Sequence, residues 1–250
     1  MSDHILVERR GPVQIVRMNR PEKKNAITRA MYARMAAALR EGDADPAIRC
    51  QVIFGLPGVF SSGNDIADFL AHGTGGERGT ESVDFLMALA RSEKPLLSGV
   101  DGIAVGIGVT INLHCDLTFA TPRTVFRAPF LDLGLLPEAG STLTGPRIMG
   151  HQQAFGLFVL GEGFSAEQAK AAGLIYAVVG EDELEEKTLS AAQALAAKPP
   201  QALKIARDLM RPDREELVKR IRIESDHIGE RLQSAEAKAA FNAFLDRKRS

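Results

Sequence analysis

Glu138 is the one acid in the stretch LGLLPEAGST, Leu133 to Thr142. Apolar Leu135, Leu136 and Pro137 precede it, and the small residues Ala139, Gly140, Ser141 and Thr142 follow. Apolar surroundings disfavour the charged form of a carboxylate and raise its pKa. An acid at such an edge, just before a helix start, is a candidate proton-transfer base. Two other segments suggest what it would act on. FSSGNDI (Phe60 to Ile66) and VDGIAVGIG (Val100 to Gly108) each bring a glycine-rich turn to the end of an apolar strand. Each turn is able to aim a backbone N–H at one oxygen atom.

These residues need elements to hold them. Ile5 to Arg9 and Val13 to Met18 alternate apolar and polar residues around Gly11-Pro12, which reads as a hairpin. Thr28 is placed to cap a helix to about Glu41, with Met31, Met35, Ala38 and Leu39 on one face. Cys50 to Gly55, Leu97 to Val100, Cys115 to Ala120 and Thr124 to Arg127 read as strands. Gly106 to His114 and Gly140 to Met149 read as helices. The pattern is strand–strand–helix, repeated about four times, and such units stack because none buries its own face alone. Ser165 caps a short helix and Leu174 to Val179 is a last strand. Helices follow: Glu183 to Ala197, Pro200 to Met210, Asp213 to Gln233 and Ala235 to Arg247. The division falls near Lys198-Pro199-Pro200, giving a core over 1–197 and a helical region over 198–250. That region reads as a lid, an oligomer contact, or both.

Bulk properties narrow the function. The chain has 250 residues, 45% hydrophobic and 25% charged, enough for a sizeable core. A net charge of −1 argues against a general nucleic-acid or membrane-surface binder. The only cysteines, Cys50 and Cys115, sit in apolar runs, so a reducing, cytoplasmic setting is expected. Neither a signal-type apolar segment at MSDHILVERR nor a membrane-length apolar run is present. GTGGERG (Gly73 to Gly79) lacks the Gly-Lys-Ser/Thr of a phosphate loop, and Gly102, Gly106 and Gly108 do not space as GxGxxG.

NRPEKKNAI (Asn19 to Ile27), FSSGNDI, VDGIAVGIG, CDLTFA (Cys115 to Ala120), LGLLPEAGST and GEGFSAEQAKAAGLI (Gly161 to Ile175) are collinear, and together they resemble the crotonase, or enoyl-CoA hydratase/isomerase, superfamily. The FLDRKR tail fits as well. The resemblance implies an α/β fold, a spiral of ββα units with a C-terminal helical trimerisation region. It implies an acyl-CoA substrate, no further cofactor, no metal, and a homotrimer or dimer of trimers. The thioester oxygen would sit between the backbone N–H groups of Asn64 and Ile107, an oxyanion hole. An enolate formed next to the thioester puts its charge on that oxygen, and losing one such donor typically costs ~3 kcal/mol. The family often has Ala and Gly at these positions; the bulk of Ile107 is expected to narrow the pocket. Lys23 and Lys24 are candidates to meet the phosphates of coenzyme A, and Ala26 lies beside the family's adenine-binding loop as a backbone contact. Phe244 and Arg247 match positions that meet the adenine and phosphate from a neighbouring subunit.

Hydratases of the superfamily use two glutamates, and this chain has Thr110 and Phe130 at those positions. Glu138 matches the single glutamate of Δ3,Δ2-enoyl-CoA isomerases, and KPPQALKIARDLMR (Lys198 to Arg211) resembles the same subgroup. The expected reaction is a double-bond shift from C3 to C2 with Glu138 as the one acid/base. The alternatives are another crotonase-type reaction, hydration or an aryl-CoA dehalogenation, or a non-catalytic acyl-CoA-binding member. Each residue also has a plainer reading. Without its flanking motifs Glu138 would be a charge near a helix N-terminus, contributing under ~1 kcal/mol. Asp65 is expected to cap a helix, Asp132 to be a solvated loop acid, His114 to be a core histidine, and His72 a surface residue. His4, His151 and His227 have no metal-ligand spacing.

Overall fold

The computed structural model describes residues 4–66, 68 and 80–247. The stretch Gly73 to Gly79 and His72 lie outside the described residues. Among the described residues ten strands form two sheets, and their order carries the architecture. The first sheet runs β1(Ile5–Arg10), β2(Val13–Met18), β3(Cys50–Phe54), β5(Leu96–Val100), β7(Leu117–Ala120), β10(Ala177–Val178). The second runs β4(Val59–Ser61), β6(Ile103–Val105), β8(Val125–Arg127), β9(Phe164–Ser165). Successive units therefore give one strand to each sheet: β3 then β4, β5 then β6, β7 then β8. This is the crotonase spiral, and its sheets are parallel except for the β1–β2 hairpin and the β8–β9 pair.

The first unit departs from the rule. Both its strands go to the first sheet, and its place beside the second is taken by an isolated parallel bridge between Ile27 and Asn64. The strands β4 and β6, each of three residues, carry too few residues for an alternation pattern to show in the sequence. The helix Glu81–Arg91, which packs against the helix Arg29–Ala44, also lay outside the sequence reading.

Both faces of the first sheet are covered, which is why β3 and β5 are buried along their whole length. Val13, Ile15, Val52, Leu97 and Phe119 pack against the helix Leu184–Ala196. The opposite face joins the main core of Val16, Ile53, Met31, Met35, Phe85 and Leu89. Thr28 caps the helix Arg29–Ala44 by accepting the Met31 N–H at 3.3 Å. Ser165 and Gln168 form a full capping box at the helix Ala166–Ala171. The C-terminal helices are Pro200–Met210, Arg214–Leu232 and Ala235–Arg247. No described helix is long and apolar enough to cross a membrane.

Candidate active site

The two glycine turns meet because both lack side chains where they touch. A Cβ on Gly63 would sit 3.2 Å from the Val105 carbonyl oxygen, and one on Gly108 would sit 3.0 Å from the Ser61 carbonyl oxygen. Gly63 also has φ +94, a conformation that L side chains rarely adopt. The end of β4 and the start of the helix Ile107–Thr110 are thereby pressed together.

Each turn leaves one N–H unspent. Across the Ile27–Asn64 bridge, the Ile27 N–H donates to the Gly63 carbonyl at 2.8 Å, and the Asp65 N–H donates to the Ile27 carbonyl at 2.9 Å. The Gly63 carbonyl and the Asn64 N–H share one trans peptide plane, so the Asn64 N–H points away from Ile27. It donates to no described residue. Ile107 is the first residue of its helix, where a backbone N–H has no intrahelical acceptor. It too donates to no described residue. The Ile107 side chain is 1% exposed and belongs to the main core, so its bulk does not narrow the cavity as expected.

Glu138 and Asn64 both line a cavity of about 420 Å³ whose walls also include Ile27, Tyr32, Leu86 and Gly229. Glu138 Oε1 is buried with no hydrogen-bond partner among the described residues. Burial raises its pKa to about 7, and the nearby charge of Glu224 adds to the rise. Burial is the first cause; the second comes from a helix no local pattern connects to residue 138.

The backbone after Glu138 is unusual. Ala139 has φ 65, a left-handed conformation for a residue with a side chain, and it is fully buried. Two side chains hold it. His114, also fully buried, lies with Nε2 2.7 Å from the Ala139 carbonyl. A carbonyl only accepts, so Nε2 carries the proton. Burial, and then the Arg211 charge, lower the His114 pKa to about 4, so the ring is neutral. On the other side Glu224 reaches in from the helix Arg214–Leu232. Its Oε2 accepts the Gly140 N–H at 2.6 Å; its Oε1 accepts the Thr142 N–H at 3.0 Å and the Thr142 hydroxyl at 2.6 Å. Burial raises the Glu224 pKa, and these three donors work against that rise by favouring the ionised form.

A further residue joins the cavity wall from the helix Arg29–Ala44. The Tyr32 hydroxyl donates to Asn64 Oδ1 at 2.5 Å. Burial, and then the charge of Glu138, raise the Tyr32 pKa well above the ordinary phenol value. Tyr32, His114 as a support of Ala139, and Glu224 were not singled out by sequence reasoning for these roles. The one signal was Tyr32 itself, a polar-tipped residue next to the apolar stripe of Met31 and Met35.

The other sequence-derived residues fall elsewhere. Lys23 and Lys24 are exposed in the turn before Ile27 and, with Ala26, are not part of the cavity wall. The Ala26 N–H donates to the Lys23 carbonyl at 3.0 Å, and its own carbonyl accepts from Arg20 at 2.9 Å. Phe244 and Arg247 fall on the last helix, but their side chains lie outside the described residues. Thr110 and Phe130 are buried and bring no titratable group. Asp65 does cap the next turn, accepting the Asp68 N–H at 3.1 Å, and also pairs with Arg20 at 2.7 Å.

A two-sheet spiral with a half-buried carboxylate and an unspent N–H beside one cavity is the arrangement that the crotonase resemblance implies. The family description "Enoyl-CoA hydratase/isomerase" matches residues 8–250, and the chain belongs to that family. It is 32% identical to enoyl-CoA delta isomerase 2 of Rattus norvegicus over 99% of this chain; the match spans 64% of that protein's length. It is 31% identical to 1,2-epoxyphenylacetyl-CoA isomerase of Escherichia coli over 99% of this chain and 97% of that one. Hydratases stand among the other relatives. Among solved structures, OdaA of Pseudomonas aeruginosa superposes with a TM-score of 0.92 at 43% identity, over 98% of this chain and 99% of that one.

Proposed function

We propose that the protein moves a double bond of an acyl-CoA thioester from C3 to C2, with Glu138 as its one acid and base. Glu138 takes a proton from C2, and the electron pair spreads into a dienolate whose charge rests on the thioester oxygen. The N–H groups of Asn64 and Ile107 hold that oxygen. Glu138 then returns the same proton to C4. One carboxylate is enough because the proton leaves and returns on one face.

The observation that carries this reading is the state of Glu138. The residue is half-buried, its Oε1 is closed off from solvent with no hydrogen-bond partner among the described residues, and its pKa lies near 7. A carboxylate so placed is a stronger base than one in water and is about half ionised at neutral pH. Hydration needs a second proton-transferring group for water, and Thr110 and Phe130 offer none where the superfamily's hydratases carry glutamates. The exposed apolar side chains of Ile205, Leu209 and Met210 on the helix Pro200–Met210 support the further proposal that the C-terminal helices assemble a homotrimer.

The test is incubation with 3-cis-hexenoyl-CoA, following the conjugated 2-enoyl thioester by absorbance, with hydration of crotonyl-CoA assayed beside it. Isomerisation that vanishes in Glu138→Gln while thioester binding persists is the expected result. Hydration without isomerisation would overturn the single-base reading.

A further inference from the structure

The Asn64 N–H lies in a poorly restrained stretch. It follows Gly63, whose φ of +94 reflects a residue with no side chain to limit rotation. Its only ladder contact is an isolated bridge. Besides the Asp65 N–H bond to the Ile27 carbonyl at 2.9 Å and the Gly63 N–H bond to Ser61 Oγ at 3.1 Å, two anchors bear on Asn64 itself, and both come from one place in the fold. Ile27 holds the Gly63–Asn64 peptide plane through the Gly63 carbonyl. Tyr32, on the first turn of the helix that Ile27 leads into, holds the side chain by donating to Oδ1 at 2.5 Å. The NH2 of the same carboxamide has no partner among the described residues, so the Tyr32 hydroxyl is the polar anchor of that side chain. Tyr32 is itself 4% exposed and packs its ring on Phe85, with centroids 5.5 Å apart.

We propose that Tyr32 is a positioning residue for the oxyanion: its hydroxyl, by holding the Asn64 carboxamide, fixes the direction in which the Asn64 N–H points. The start of the helix Arg29–Ala44 thus works as a clamp with two jaws, Ile27 on the backbone and Tyr32 on the side chain. An oxyanion donor contributes only if it is aimed before the charge forms, so a loosened clamp lowers the rate of enolate formation and leaves thioester binding largely intact. The proposal rests on the enolate reading above and extends it to a residue that itself touches no substrate.

The experiment follows exchange of the α-protons of butyryl-CoA in deuterated water by NMR. This reports enolate formation whatever double-bond chemistry the enzyme performs. Tyr32→Phe keeps the ring on Phe85 and removes only the hydroxyl. Asn64→Ala keeps the backbone N–H and removes only the anchored group. Each is expected to slow exchange about tenfold at saturating thioester, the scale of one aligned hydrogen bond, with KM changed less than about twofold. The double variant is expected to be no slower than the slower single variant, because both changes break one and the same contact. The pH midpoint of exchange should stay at the wild-type value in all of them. Multiplying losses in the double variant, or a Tyr32→Phe enzyme as fast as wild type, would overturn the proposal. So would a midpoint shift confined to Tyr32→Phe, which would mean that the hydroxyl acts on Glu138 instead. Wild-type exchange that survives Glu138→Gln would overturn the base assignment, so the two failures are told apart.

Discussion

Glu224, on a C-terminal helix, grips the turn that carries Glu138. Its two oxygens take the N–H groups of Gly140 and Thr142, at 2.6 and 3.0 Å, and its charge raises the pKa of Glu138. One buried carboxylate thus holds the turn of another acid and adds to the rise in basicity that burial begins. Glu224→Gln removes the charge but keeps the shape. The acid limb of the pH–rate profile, which reports Glu138 losing its proton, should move to lower pH. Stability should fall by about 1–3 kcal/mol, because an amide offers one oxygen where the carboxylate offers two to the backbone N–H groups. A pH profile identical to wild type would show that Glu224 holds the turn without tuning the base.

Glu138 should lower stability where it is ionised. Its folded pKa of about 7 lies above the ordinary 4.5, so between those values the folded state binds more protons than the unfolded chain. Stability therefore falls as pH rises through that window, and above it the full cost remains. Glu138→Gln should be more stable than wild type at pH 8, by about 2–3 kcal/mol on a scale of 1.36 kcal/mol per pKa unit, and about equal to it at pH 4. Urea unfolding at the two pH values measures this. An equal or lower stability of the variant at pH 8 would mean that the carboxylate is solvated.

The sequence made parts of this site legible and hid others for a physical reason. Glu138, Asn64 and Ile107 stand in segments whose residue types report local backbone needs: glycines where turns touch, apolar residues beside a strand end. Thr28, Ser165 and the β1–β2 hairpin were likewise readable because a cap or a tight turn is decided within a few residues. Glu224 lies 82 residues from Thr142 and meets it only through packing of the helix Arg214–Leu232. Charged Arg222 and Asp226 stand two residues to either side, as on a solvated helix face, so nothing local marks it as buried. Tyr32 acts through Asn64 across 32 residues. Three-residue strands such as β4 and β6 leave no alternation to read, and Leu174 to Val179 narrowed to the two residues Ala177–Val178, which alone pair in register with β7 while the Tyr176 and Val179 N–H groups donate to it from either side.

His114 contributes the opposite pH slope. Its folded pKa of about 4 lies below the ordinary 6.5, so in that window the unfolded chain binds the extra proton. Its contribution is complete above about pH 6.5 and is lost as pH falls toward 4. His114→Gln keeps a donor for the Ala139 carbonyl and removes the titration. The variant should lose less stability than wild type between pH 7 and pH 5 in the same urea experiment. A steeper loss in the variant would contradict a neutral, buried ring.

Gly108 tests the contact between the two turns. A Cβ there would lie 3.0 Å from the Ser61 carbonyl oxygen, and because that neighbour is backbone, one of the two turns must shift. Ser61 and Gly108 lie a few residues from the proposed donors Asn64 and Ile107, so a small shift changes the spacing of the two N–H groups. Gly108→Ala should therefore lower kcat by tenfold or more, since displacement on the order of 1 Å can cost about a hundredfold. It should cost stability about 1–3 kcal/mol, the range for overpacking. Gly11→Ala is the comparison. Gly11 sits in the β1–β2 turn at φ +60 with no atom within 4 Å of the added carbon. It should cost about 1–2 kcal/mol through backbone strain alone and leave kcat unchanged. Equal losses of kcat in the two variants would mean that Gly108 serves stability and not the spacing of the donors.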